Sequence, residues 1–224
     1  MSTTETRAEH VDTRESLLDA AESLFSEHGI QAASLRAITH QAGANLAAVN
    51  YHFGSKDGLV RAVFSRRLKP LNEERLRRLA AIEADGDAER GVERVLHAFA
   101  APLLSSARTD RERIRDFARL MGRAFSEPNE EVRGMVAQEF AETTDRFLAV
   151  LARLLPHVPE RELLWRFHFT AGALSHTVSC GHLIDELSHG RCHADSDATL
   201  DYLLSFLAAG LRAPALAAPA FQGE

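Results

Sequence analysis

Apolar residues recur at helical spacing almost from one end of this chain to the other, and no run of β-branched residues alternates long enough to form a strand. The periodicity predicts an all-α fold. Asp12 or Thr13 with Glu15 makes a capping-box start for a first helix whose inward face is Leu17, Leu18, Ala21, Leu24 and Phe25, and Gly29 stops it. Ser34 caps a short second helix carrying Leu35 and Ile38, which ends at Gly43. Asn45 caps a third, with Leu46, Val49 and Phe53 inward and Gly54 as its break. A fourth opens at Ser55, gains from Asp57 in its first turn, and continues through Leu59, Val63, Phe64 and Leu68, with Pro70 expected to kink or shorten it. Longer periodic segments follow at Asp87–Ala107, Asp110–Ser126, Asn129–Leu155, Pro159–Leu187 and Ser196–Arg212, so nine helices are expected.

The last residues, 214–224, are an Ala/Pro-rich tail expected to fray. The polar stretch from Glu83 to Arg90 reads as a linker candidate. With 45% hydrophobic and 26% charged residues the chain has the means to bury a core, which excludes disorder as the default. No stretch approaches the roughly 18 apolar residues of a membrane span, and the first residues are polar with mixed charge, so a cytoplasmic location is expected. Two cysteines, Cys180 and Cys192, are too few for a disulfide framework. The chain has no Gly-x-Ser-x-Gly elbow, no phosphate-cradling Gly-rich loop and no His-Glu-x-x-His pair. Neither catalysis nor a cofactor is expected.

A net charge of −6 conceals an uneven distribution. Between Gln31 and Lys69 stand Arg36, Lys56, Arg61, Arg66, Arg67 and Lys69 against the single acid Asp57. Residues 1–30 are acidic instead, with Arg7 and Arg14 outnumbered by Glu5, Glu9, Asp12, Glu15, Asp19, Glu22 and Glu27. A short basic segment in an acidic chain is the electrostatic footprint of a small DNA-contacting surface.

Two short helices joined by a turn at Gly43 make a helix-turn-helix, whose second helix, Leu46–His52, would lie in the major groove. A groove about 12 Å wide admits a helix only if its outward side chains are modest or able to hydrogen-bond, and Asn45, Ala47, Ala48, Asn50 and Tyr51 qualify. Asn side chains can pair with an adenine edge, the Ala47 methyl can meet a thymine methyl, and Tyr51 and His52 can reach phosphate. Ser34, Arg36 and Lys56 sit at helix starts or turns, where backbone N–H groups also face an anion.

The detailed run narrows this further. Ser34-Leu35-Arg36-Ala37-Ile38-Thr39, Ala42-Gly43 and Val49-Asn50-Tyr51-His52-Phe53-Gly54-Ser55-Lys56-Asp57-Gly58-Leu59 resemble the signature of TetR-family regulators, as do Leu17-Leu18-Asp19-Ala20-Ala21, Leu24-Phe25 and His28-Gly29. The likeness spans roughly residues 12–66. It implies a three-helix DNA-binding head over residues 1–54, a connecting fourth helix, and a helical C-terminal domain over 55–213 that dimerises and holds an inducer. By the same resemblance Ser34, Arg36, Tyr51, His52 and Lys56 hold phosphates, while Asn45, Leu46, Ala47 and Asn50 face bases. Asn50 departs from the aromatic residue many relatives carry there, so base preference does not transfer. The run Asn45–Lys56, followed by Ala62-Val63-Phe64-Ser65-Arg66, is similar to the PsrA-type branch, which implies a response to long-chain fatty acids.

One short reading helix discriminates weakly, so a homodimer on a near-palindromic double-stranded operator is expected, with half-sites about 34–36 Å apart. Phe167, Ala171, Leu174, Val178 and Gly181 form one apolar stripe suited to the dimer interface, and Leu200, Leu203, Leu204, Leu207 and Leu211 form another. Phe99, Leu103, Phe117, Met121, Phe125, Phe140, Phe147 and Leu151 are candidates to line a ligand pocket or, equally, to fill a packed core. With 12 Phe against 2 Tyr and 1 Trp, such an interior offers few polar handles and suits a hydrophobic small molecule. Arg115, Arg119, Arg123, His97 or His168 would anchor its head group. Ligand entry is expected to shift the helix Ser55–Leu68. A drug- or metal-responsive regulator of the same fold is the alternative; His176, Cys180, His182, His189, Cys192 and His193 cluster in sequence but lack the tight spacing of a zinc site, and a metal-dependent helical enzyme has less support still.

Overall fold

The computed structural model describes residues 3–85, 91–109, 111–126, 130–193 and 198–216, and all its regular elements there are helices. They are α1 (Thr3–His28), α2 (Leu35–Gln41), α3 (Leu46–Phe53), α4 (Lys56–Asp85), α5 (Gly91–Thr109), α6 (Arg111–Ser126), α7 (Glu130–Leu154), α8 (Glu160–Cys180), α9 (His182–Leu187) and α10 (Ala198–Arg212). Among the described residues, no helix is long and apolar enough to cross a membrane.

The expected all-α fold is found, with three differences of detail. First, α1 begins at Thr3, before the capping-box sequence, and Glu15 pairs with Arg14 at 2.8 Å and Arg66 at 3.3 Å. Second, Pro70 neither ends nor shortens α4, which runs on to Asp85; proline removes one backbone bond, and packing on both sides of it holds the helix. Third, the segment expected as one helix to Leu187 divides at Gly181, where the Ile184 N–H closes a tighter bond to the Gly181 carbonyl at 3.1 Å, so the described helices number ten. The expected linker lies outside the described residues from 86 to 90, as does the tail from 217 onward.

The chain forms two compact units, and their limits differ from a boundary at residue 54. Unit 1 comprises residues 1–71 with 110–141. Its core takes Leu17, Leu18 and Phe25 of α1, Ile38, Val49, then Val63 and Phe64 of α4, with Phe117, Leu120 and Val136 of α6 and α7. The start of α4 belongs here because its Leu59, Val60, Val63 and Leu68 are buried in that same cluster. Unit 2 comprises 72–109 and 142–224. In it α5, α8 and α10 pack on one another around Val95, Phe99, Phe147, Leu151, Phe167 and Leu207. Arg166 finishes α10, donating to the carbonyls of Leu211, Ala213 and Pro214 at 2.7–2.9 Å, groups that a helix end otherwise leaves to water.

Candidate functional site

The reading head is built from short-range geometry. Gly29 takes a φ of 89° after α1, and its N–H closes on the Phe25 carbonyl at 3.0 Å. Ser34 is extended and its hydroxyl accepts from the Ala37 N–H at 3.1 Å; Asn45 is extended and its side-chain oxygen accepts from the Ala48 N–H at 2.9 Å. Both caps are as the residue types demand. Gly43, with φ 62°, makes the turn between them. Gly54, with φ 75°, ends α3, and the Ser55 hydroxyl accepts from the Gly58 N–H at 3.0 Å to start α4. Gly58 has a second reason to be glycine, since a Cβ there would lie 1.9 Å from the Phe53 carbonyl oxygen. The segment Phe53–Gly58 is therefore a mechanical part that sets the angle at which α3 leaves α4.

This frame turns one face of α3 outward. Val49 is wholly buried, while Asn45, Leu46, Ala47, Asn50 and Tyr51 are exposed, Tyr51 to 75%. Ser34 and Arg36 are exposed at the start of α2, and His52 and Lys56 are half-buried beside them. All nine sequence-predicted DNA contacts thus lie at the surface of one unit. His52 packs edge-on to Tyr51, ring centroids 4.9 Å apart, and the Lys56 ammonium donates to the Gln31 carbonyl at 3.1 Å, which fixes its stem next to α2.

Part of the basic segment is spent internally. Arg66 pairs with Asp19 at 2.8 Å, with Glu15, and most closely with the buried Glu22; Arg67 also grips Glu22, at 3.0 Å. Burial opposes the charge on Arg66, but Glu22 and Asp19 outweigh it and raise its pKa. Arg61 donates to Gln138 at 3.4 Å. The acids of α1 thus neutralise Arg66 and Arg67 of α4, while Arg36 is exposed at the start of α2, Lys56 is half-buried at the start of α4, and the Arg14 guanidinium stands 5.6 Å from the ring of Phe53.

The sequence-predicted ligand residues do not come together as one set. Phe117, Met121 and Phe140 belong to the core of unit 1, with Phe64 and Phe117 edge to face at 6.2 Å. Phe99, Leu103 and Phe147 belong to unit 2, where Phe99 lies 5.3 Å from Phe147 and 5.0 Å from Phe167. Helical spacing cannot say which of two cores an apolar residue enters. The side chains of Phe125, Arg115 and Arg123 lie outside those described. Arg119 pairs with Asp116 at 3.2 Å on the surface, and His168 is exposed beside Trp165. His97 lines an open groove of about 390 Å³ between α4 and α5, together with Arg77, Arg78, Ile82 and Arg94.

The expected dimer stripes are turned inward. Phe167, Leu174 and Leu207 are buried, and Ala171, Val178, Leu200 and Leu204 pack against the same core, because α8 and α10 carry two apolar faces and the one bearing Phe167 and Leu207 fills their own subunit. Their opposite faces leave Trp165 56%, Phe169 62%, Tyr202 74% and Phe206 73% exposed. The missed signal was the aromatic i, i+4 spacing of 165/169 and 202/206. Around α9, Asp185 lies 3.0 Å from His193, and among the described residues no three His, Cys, Asp or Glu side chains gather as a metal would require.

Comparison with known proteins agrees with this architecture. A model of the C-terminal domain of tetracyclin repressor-like proteins matches residues 97–210, and one described as bacterial regulatory proteins, tetR family, matches residues 17–63. The HTH-type transcriptional regulator SrpR of Pseudomonas putida is 27% identical over 152 residues, 68% of this chain and 63% of its own length, so this chain spans less than two thirds of that relative. The fatty acid degradation regulator FadR from Bacillus halodurans has the same fold, with a TM-score of 0.65 at 16% identity over 89% of this chain and 96% of that one. SmeT, in a complex with triclosan, gives 0.61 at 25% identity over 87% and 90%.

Proposed function

The chain belongs to the TetR family of bacterial regulators, and on that premise we propose that it is a cytoplasmic transcriptional repressor, binding a near-palindromic operator as a homodimer and releasing it when a long-chain fatty acid or acyl-CoA enters unit 2. The observation that carries the DNA-binding part is the outward face of α3, which presents Asn45, Ala47, Asn50 and Tyr51 over the buried Val49, with Arg36 and Lys56 of the same unit available for phosphate. Asn45 spends its oxygen on its own helix, which leaves its NH₂ to donate to an acceptor on a base edge. Asn50 makes no such commitment and is our candidate for a bidentate contact with adenine.

The homodimer is supported by the exposed aromatic faces of α8 and α10. Four large rings in water are a liability for a monomer, and two such helices from each subunit would form a four-helix interface. α4 is the candidate messenger, since its first half lines the core of unit 1 and Leu79 that of unit 2.

An acyl ligand is supported by the aromatic interior of unit 2, by the PsrA-like run Asn45–Lys56, and by a shared fold with a regulator of fatty acid degradation. The likeness to SmeT, seen with triclosan, favours a second reading, an aromatic drug as inducer. Selection of bound fragments from genomic DNA, repeated with hexadecanoate, hexadecanoyl-CoA and triclosan, tests both. Release by either acyl compound supports the first reading, release by triclosan alone the second, and no DNA retained at all removes the operator model.

A further inference from the structure

Two charged side chains are buried among the described residues, Glu22 and Arg75. Glu22 is matched by Arg66 and Arg67. Arg75, in unit 2 and only 3% exposed, has no carboxylate partner among the described residues. Its Nε donates to the Phe99 carbonyl at 2.8 Å, its Nη1 reaches the Asn72 side-chain oxygen at a long 3.4 Å, and its guanidinium carbon stands 4.0 Å over the Phe99 ring. Neighbouring arginines on the same helix are matched: Arg77 and Arg78 both hold Glu74, at 2.7 and 2.6 Å.

The contacts of Arg75 account for its position but not for its charge. A neutral amide would satisfy the Phe99 carbonyl, and taking an ion out of water is costly unless an opposite charge replaces the solvent. Burial draws its pKa down to about 10, which still leaves it a cation at neutral pH. Nη2 donates to nothing among the described residues, and a guanidinium has five N–H donors of which two are in use.

We propose that Arg75 is the counter-ion of the ligand's acidic group: the free carboxylate of an aliphatic acid pairs with its unused N–H groups, and the chain lies against Phe99 and Leu103. A carboxylate has two coplanar oxygens that match the guanidinium fork, and the ring over which Arg75 sits belongs to the apolar cluster of Phe147 and Phe167. The proposal rests on the reading that unit 2 takes an acyl ligand, and adds that the free acid is what is recognised.

Calorimetric titration of the full chain with dodecanoate and with dodecanol separates the two claims. Wild type should bind the acid at least about tenfold tighter than the alcohol, and Arg75→Gln, which keeps a donor for the Phe99 carbonyl, should lose that preference, the acid weakening far more than the alcohol. Equal binding of acid and alcohol by wild type would overturn the role of Arg75 and leave the acyl pocket standing, as would an undiminished preference in Arg75→Gln. Should Arg75→Gln fail to fold, the wild-type pair of titrations decides alone. No binding of either compound, nor of hexadecanoate, removes the acyl reading and this proposal together.

Discussion

The outward face of α3 and the outward faces of α8 and α10 both leave side chains in water that the fold itself does not use, yet they are made differently. α3 offers Ala47 and the amide of Asn50 together with Leu46 and the hydroxyl-bearing Tyr51, over a short helix held at both ends by caps and positive-φ glycines. α8 and α10 offer four large rings along helices of 21 and 15 residues. Water tolerates the small and amide groups of the first face at little cost. The second loses favourable burial for as long as it stays exposed. On the proposed reading, a face that meets a hydrated polyanion must itself stay hydrated between encounters, whereas a face that meets another copy of the chain can be apolar because it is covered for most of its life.

The largest test of that contrast is to charge the apolar face. Trp165→Glu with Phe206→Glu should give monomers by sedimentation, and operator affinity should fall by about a hundredfold or more because two heads no longer bind as one. Helical content should stay near wild type, since both residues lie outside the core of unit 2. A dimer that survived would put the interface elsewhere.

A smaller effect belongs to the polar face. Asn50→Ala should cost about 1–3 kcal/mol of operator affinity, concentrated at one base pair of each half-site, with the dimer unchanged. An even loss over all sequences would assign Asn50 to phosphate instead. The smallest effect concerns neither face but the ion pairs that brace unit 2. Arg153 and Arg146, each 2.7 Å from Glu83, hold its carboxyl below its ordinary value of 4.5. A depressed folded-state pKa means stability present above about pH 4.5 and lost as the pH falls through the lower folded value. Thermal melts should therefore show a slightly weaker acid dependence for Glu83→Gln than for wild type.

The DNA-binding half was readable before any coordinates because its determinants are local. Ser34, Asn45 and Gly29 act within four residues of themselves, and so does the Gly54–Gly58 corner, although only the approach of the Phe53 carbonyl explains why Gly58 tolerates no Cβ. Charge was less readable. Counting cations from Gln31 to Lys69 marked a basic region, but Arg66 and Arg67 are matched by Glu15, Asp19 and Glu22, acids spaced along one face of α1 and more than forty residues away in sequence.

By itself, then, the chain's order of residues determined that it is all helical, where α2 and α3 start and stop, and which side of α3 meets solvent, since helix period, capping and glycine conformation are short-range physics. Tertiary structure alone decided which face of α8 and α10 is core and which is left open, how the phenylalanines divide between two cores, and that Arg75 is buried with no acid paired to it among the described residues. Those are outcomes of packing, in which several faces of similar hydrophobicity compete for one interior and only their mutual fit selects among them.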